Sequence, residues 1–381
     1  MMSLIHYENF RSRRGHLSKA TVHFPPYGHL TRASLFADHK IVVRMIGRSE
    51  HMLITVAMAV YNGETYLREA IAGLKAQTYK QMEVVIVNDG STDRTHDLLD
   101  TIQDPRFRVM HLPKNKGAAN ALNTAIRMAR GQWIAIHDAD DVSHPDRLEE
   151  QAAYIRSHPG LVAVGSLIRC ILGTASLPDS FLQSTEQAFN THVTPEQIID
   201  GRFSACPLCH GSVVFSKQAF LEVGGYDTSY RIAYDYDLWT RLIDHGPIGK
   251  VNKVLYDYRV YPSSLSNKKW KDTYDEKLRS ALLSLSKVCY ADLDSPRLAV
   301  FAPNWLCRNL YHNVFPATRC KATLYIHDQY VLHVAKVNDL YRTGIIDGVM
   351  MSTLIDKGPV RQLLESFQAN GMVINRNLFT I

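Results

Sequence analysis

Nothing in the 381-residue chain approaches the run of about 18 apolar residues that a membrane-spanning helix requires. Six cysteines without a pairing pattern argue against a disulfide framework and fit reduced thiols. Cys206-Pro207-Leu208-Cys209-His210 has the form of a c-type haem attachment, but residues 1–30 lack the apolar core of about seven residues that an export leader needs. Haem is therefore set aside and a cytoplasmic location expected. Cys206 and Cys209 have no second pair at zinc-finger spacing. No Gly-x-Gly-x-x-Gly follows the first apolar strand and no Gly-Lys-Ser/Thr loop occurs, so the usual phosphate cradles are missing. No internal repeat is evident.

What the chain does have is Trp133-Ile134-Ala135-Ile136-His137-Asp138-Ala139-Asp140-Asp141, a short apolar strand ending in three clustered carboxylates. Such charges repel and persist where something positive neutralises them, for which a hard divalent cation is the obvious candidate. A lone Asp-x-Asp is weak evidence, since a solvated turn reads the same way and Asp235-Tyr236-Asp237 repeats the pattern in a helical segment. Context decides. Leu53–Val60, Glu83–Val87 and Phe107–Leu112 read as strands, each followed by a helical pattern, with the acidic strand fourth. Ser91 is placed to cap the helix carrying Leu98 and Leu99. This alternation predicts an α/β fold with a mostly parallel nucleotide-binding sheet flanked by helices, and a ligand crevice at the strands' carboxyl ends. Tyr61, Asp89, Asp138 and Asp140 all fall there. Without a phosphate loop, a diphosphate in that crevice must be held by metal.

Thr55–Leu67, Val87–Asp93, Asn115–Asn123 and Ala135–Asp141 resemble the donor-binding half of the family 2 glycosyltransferases, inverting enzymes of the A-type glycosyltransferase fold. The resemblance continues through His210–Phe215, Gly224–Asp227, Tyr234–Trp239 and Tyr258–Tyr261 and spans roughly residues 53–266. It implies that Tyr61 and Asp89 contact a nucleobase, usually uracil, that Asp138 meets the ribose, and that Asp140 binds Mn²⁺ or Mg²⁺. Asp235 matches the family's catalytic base. His210, Asp237 and Tyr261 are candidate acceptor or phosphate contacts. Three departures stand out. Asn88 replaces the first acid of Asp-Asp-Gly-Ser, Tyr261 stands where many members place a His, and Tyr234 replaces an acid, removing a like charge whose loss favours ionised Asp235.

Each residue also has a plainer reading. Tyr61 would cover the sheet edge, Asp93 start a helix, Asp237 pair or orient, and His210 pack at a strand end. Residues 52–266 are thus expected to form the catalytic domain of a metal-dependent inverting glycosyltransferase. Its reaction would move a sugar from a nucleoside-diphosphate sugar, first a UDP-sugar, to a glycan or lipid-linked acceptor in surface polysaccharide or glycoconjugate synthesis. A sugar-phosphate nucleotidyltransferase and a non-catalytic nucleotide-sugar-binding subunit are the alternatives. No nucleic-acid partner is expected. Residues 267–381 read as a helical carboxy-terminal extension, with segments at Tyr274–Val288, Leu298–Tyr311, Thr323–Leu340 and Val360–Ala369, open to homo-oligomerisation. The formal charge is +6. Residues 1–51 read as a basic extension open to disorder: the first 52 residues hold eight Lys or Arg against three acids. It is either a solvated tail or an attraction to an anionic membrane or phosphate-rich acceptor, which leaves open peripheral contact at the membrane's inner face.

Overall fold

A computed structural model describes residues 52–174, 177–204, 206–262, 264, 269–355 and 357–381. The basic extension and the boundary placed between residues 266 and 267 lie outside the described residues. Strand β1 (Ile54–Val60), helix α1 (Leu67–Lys75), β2 (Met82–Asn88), α2 (Thr95–Asp100), β3 (Phe107–His111), α3 (Ala118–Met128) and β4 (Trp133–Ile136) follow in alternation. β1 pairs in parallel with both β2 and β4, and β2 with β3. α1 buries Leu67, Ala70, Ile71 and Leu74 on one face, as their helical spacing dictates.

Then come β5 (Val142–Ser143), α4 (Arg147–Ser157), β6 (Ala163–Leu172), α5 (Asp179–Asn190), α6 (Pro195–Gly201), β7 (Val214–Ser216), α7 (Lys217–Glu222), α8 (Tyr234–His245) and β8 (Ile248–Val260). The main sheet has eight strands in the order β3-β2-β1-β4-β7-β6-β8-β5. β7 runs antiparallel to both β4 and β6, and because β2 and β3 lie on one side of β1 and β4 on the other, the strand order reverses between β1 and the acidic strand β4. Ligands of open α/β sheets lodge at such a reversal.

Beyond residue 269 the expected helices are present at Trp270–Val288, Val334–Arg342 and Lys357–Ala369. They accompany a second, four-stranded parallel sheet of β9 (Arg297–Phe301), β10 (Lys321–Ile326), β11 (Gly348–Met351) and β12 (Leu378–Thr380), in the order β10-β9-β11-β12. The helical reading is corrected at Leu298–Phe301 and Thr323–Ile326, which are strands. β9 is buried on both faces, Leu298 to Phe301 all at 0% exposure. A run apolar on every side carries no period to separate strand from helix. The core of this module is continuous with Phe203, Ala233 and Tyr236 of the catalytic region. Among the described residues no helix is long and apolar enough to cross a membrane.

Candidate active site

Backbone ladders fix the crevice before any side chain is placed. Asp89 N donates to Val60 O at 2.8 Å and His137 N to Ala57 O at 3.2 Å, so Tyr61, Asp89 and Asp138 leave neighbouring strands side by side. The turns behind them interlock. Asn62 N donates to Ser91 Oγ at 2.9 Å, Thr92 N to Asn62 Oδ1 at 2.8 Å, and Glu64 N to Asp93 Oδ2 at 3.1 Å. Ser91 therefore ties two loops together rather than capping α2, at whose start Asp93 accepts from Thr95 N at 3.0 Å. Gly90 has φ +69°, and a Cβ there would sit 2.6 Å from Lys114 C, so the loop closes only over glycine. Tyr61 is 49% exposed, and Asp89 is buried with its carboxylate accepting Lys116 N (2.9 Å) and Gly117 N (2.8 Å). Asp89 thus also builds the wall of the crevice.

The three clustered carboxylates have separate partners. Asp138 Oδ1 lies 3.1 Å from His210 Nδ1, Asp140 Oδ2 accepts Tyr261 Oη–H at 2.6 Å, and Asp141 Oδ1 accepts Arg259 N at 2.7 Å. Burial works against ionised Asp138, but His210 and, more distantly, Arg147 hold its carboxyl below the usual carboxylate range. Asp140 goes the other way: burial and then the charge of Asp138 raise it, over the Tyr261 hydrogen bond. Asp141 is raised further, by burial and by both neighbours. The mutual repulsion that raises Asp140, and the hard oxygens of half-buried Asp138 and Asp140, fit a divalent cation such as Mn²⁺ or Mg²⁺.

Asp235 occupies the first turn of α8, with Oδ1 accepting Tyr236 N at 2.7 Å. Burial raises its carboxyl against the opposing charge of His210, outweighing the relief expected from Tyr234. Asp237 is buried and paired with Arg241, whose Nε is 3.0 Å away, the orienting role its position on the helix predicts. His210 stands between Asp138 and the Tyr226 hydroxyl, with Asp235 within electrostatic reach. Burial would strip its proton, but Asp138 raises its pKa. Its ring packs edge-on against Tyr226 and Tyr234, at centroid distances of 5.9 and 5.5 Å. The structure brings Asp138, Asp140, His210, Asp235 and Tyr261 into one electrostatic neighbourhood, with Tyr61 and Asp89 at the adjoining loop and Asp237 turned aside.

Two supports escape sequence reasoning. Arg147 is buried beneath the acidic strand, donating to Ile136 O and Ser143 Oγ at 2.9 Å and to Gln151 Oε1 at 3.1 Å. Its signal was Gln151 on the apolar face of α4 with Leu148, Ala152 and Ile155, all buried. Glu276, in the carboxy-terminal helix Trp270–Val288, accepts from Arg231 N, Ile232 N and Ala233 N at 2.9, 2.8 and 2.8 Å. It caps α8, whose own N-cap Ala233 has no side chain to do so.

Residues 55–220 match the family described as glycosyl transferase family 2. EpsE of Bacillus subtilis is 28% identical over 276 residues, 68% of this chain and 92% of EpsE. An uncharacterised glycosyltransferase of Haemophilus influenzae is 25% identical over 218 residues, 56% of this chain and 68% of its own length. In fold, the chain resembles S. aureus TarS 1–349 in complex with UDP-GlcNAc, with a TM-score of 0.50 at 20% identity over 62% of this chain and 67% of that one. The α/β sheet and its carboxylates lie within a family 2 glycosyltransferase domain at residues 55–220, and with these relatives that domain marks the chain as a glycosyltransferase.

Proposed function

We infer that this enzyme moves a sugar from a nucleoside-diphosphate sugar to a hydroxyl of a glycan or lipid-linked acceptor, inverting the anomeric centre, in surface polysaccharide or glycoconjugate synthesis. The observation that carries the reading is His210, 3.1 Å from Asp138 and close enough to Asp235 for their charges to interact, which supports a donor carboxylate and a base sharing one cleft. The UDP-GlcNAc bound by the fold relative TarS makes a UDP-sugar the first donor to test. Half-exposed Tyr61 offers a ring for the nucleobase, Asp89 braces the loop beside it, and Asp138 faces the ribose. Asp140, with Asp138, would hold Mn²⁺ or Mg²⁺, which when bound supplies positive charge to offset the departing diphosphate.

Asp235 takes the proton of the attacking hydroxyl. Its raised pKa makes it a stronger base than an exposed carboxylate, and its place on a capped helix fixes its direction. His210, Tyr226 and Tyr234 wall the cleft with rings and exclude water from the reacting centre. The test is release of nucleoside diphosphate from a panel of nucleotide sugars with Mn²⁺, with and without an acceptor mimic. Turnover that needs Mn²⁺ and disappears in Asp235→Asn is expected. Consumption of a nucleoside triphosphate and sugar phosphate would instead mark a nucleotidyltransferase, and donor binding without any turnover a binding subunit.

A further inference from the structure

Outside this cleft, at the β3 edge of the main sheet, His96, Asp100 and His111 converge. His96 and Asp100 lie one turn apart on α2, and His111 ends β3. Their ligand atoms all fall within 4.8 Å of one another. Asp100 faces both imidazoles, Oδ1 lying 3.1 Å from His111 Nε2 and Oδ2 3.3 Å from His96 Nε2. The rings stack with centroids 3.8 Å apart. Two imidazole nitrogens and one carboxylate on an accessible edge make a borderline donor set that suits zinc, cobalt or nickel. It differs in kind from the all-oxygen pair at Asp138 and Asp140.

The geometry points to a divalent transition-metal site at His96, Asp100 and His111 whose occupancy is transmitted through Asn88 to the loop beside Asp89. The transmission follows from hydrogen bonding. Asn88 Oδ1 accepts Ser91 N at 3.0 Å, which turns its Nδ2 toward His111 Nδ1, 3.0 Å away. Without metal, Nδ1 therefore accepts, the ring proton sits on Nε2, and Nε2–H donates to Asp100. A metal at Nε2 moves that proton to Nδ1, which then requires an acceptor. Asn88 supplies one only by turning its carboxamide, and that withdraws Oδ1 from Ser91 N. Ser91 Oγ is the acceptor for Asn62 N in the turn that follows Tyr61, so the change arrives at the rim of the crevice. Metal binding itself does not rest on the proposed sugar transfer.

The experiment is a Co²⁺ titration of the full chain followed by visible absorption, with Zn²⁺ as competitor. Saturable Co²⁺ absorption displaced by Zn²⁺ is expected, weakened at least about 10-fold in His96→Ala, an exposed position that leaves the fold alone. Asn88→Asp should tighten Co²⁺ by about 10-fold, because a carboxylate accepts from Nδ1–H without the turn. Amide exchange at Ser91 should speed up on Zn²⁺ addition in the parent and stay unchanged in His96→Ala. Equal affinity in the parent and His96→Ala, or Ser91 exchange indifferent to Zn²⁺, would overturn the proposal whatever Asn88→Asp does.

Discussion

His210 Nδ1 stands 3.1 Å from Asp138 Oδ1, and Nε2 of the same ring stands 3.0 Å from the Tyr226 hydroxyl. Asn123 holds Tyr226 in turn, accepting its N–H at 3.1 Å and donating to its carbonyl at 2.8 Å. A protonated imidazole held against Asp138, with Asp235 within electrostatic reach, lowers the proton affinity of both carboxylates. His210→Gln removes that charge, so Asp235 should hold its proton to higher pH. The acid limb of the kcat/KM profile should move upward in pH, with activity lost first on the acid side. An unmoved limb would assign His210 to packing alone.

Asp235→Asn preserves shape and cannot take a proton. A general base contributes on the order of 10²- to 10⁴-fold, so kcat should fall by that order while donor affinity, read by titration with UDP, stays near the parent value. Near-parental kcat would move the base elsewhere, with the Arg241-bound Asp237 a poor replacement.

Asp140→Ala should abolish transfer and remove the Mn²⁺-dependent part of UDP affinity. The fold should survive, because Asp140 is only half-buried and its side chain meets Tyr261 rather than the core. Calorimetric titration of UDP with and without Mn²⁺ checks it. The same affinity in both conditions for the parent protein would remove the metal from the donor site.

Much of this was legible before the structure. The strands leading to Tyr61, Asp89 and Asp138 announce themselves because a parallel sheet covered on both faces is written as continuous apolar runs with polar residues at their ends. The helix direction that sets Asp237 apart from Asp235 follows from their spacing. Arg147 did not show itself because a lone arginine at a helix start reads as solvent-facing, and only the packing of α4 reveals it under the acidic strand. Glu276 lies 41 positions beyond Asp235 in sequence and reaches α8 only through the fold. Nor could the second sheet be told from helices where Leu298 to Phe301 of β9 are all buried.

Glu276 ties the carboxy-terminal module to the start of α8, the helix that carries the proposed base Asp235. Glu276→Ala leaves the N–H groups of Arg231, Ile232 and Ala233 without their carboxylate, a loss of about 1–2 kcal/mol by analogy with helix caps. Because α8 carries Asp235 and not the donor residues, kcat should fall several-fold with donor KM little changed. Glu276→Gln, which keeps one acceptor oxygen, should recover part of the loss. A variant that changes KM and kcat together would place Glu276 in general stability instead.

His137 is a buried group whose depressed pKa makes stability fall in acid. It is fully buried, its Nδ1 is 2.7 Å from the Asp138 carbonyl oxygen, and burial together with the Arg147 charge pushes its pKa down to about 3. In the unfolded chain it returns to the ordinary value of 6.5. Between those values the unfolded state binds a proton that the folded state refuses, so stability falls as pH falls from 6.5 toward 3. At pH 5 the loss from this one group amounts to about 2 kcal/mol. His210, raised rather than lowered, acts in the opposite sense but is present in parent and variant alike. In urea unfolding at pH 7 and pH 5, the parent should therefore lose about 2 kcal/mol more than His137→Gln, whose neutral amide has no proton to gain in this range. Equal losses in the two proteins would mean that His137 accepts a proton in the folded state, and the acid sensitivity would then have to come from the carboxylates around it.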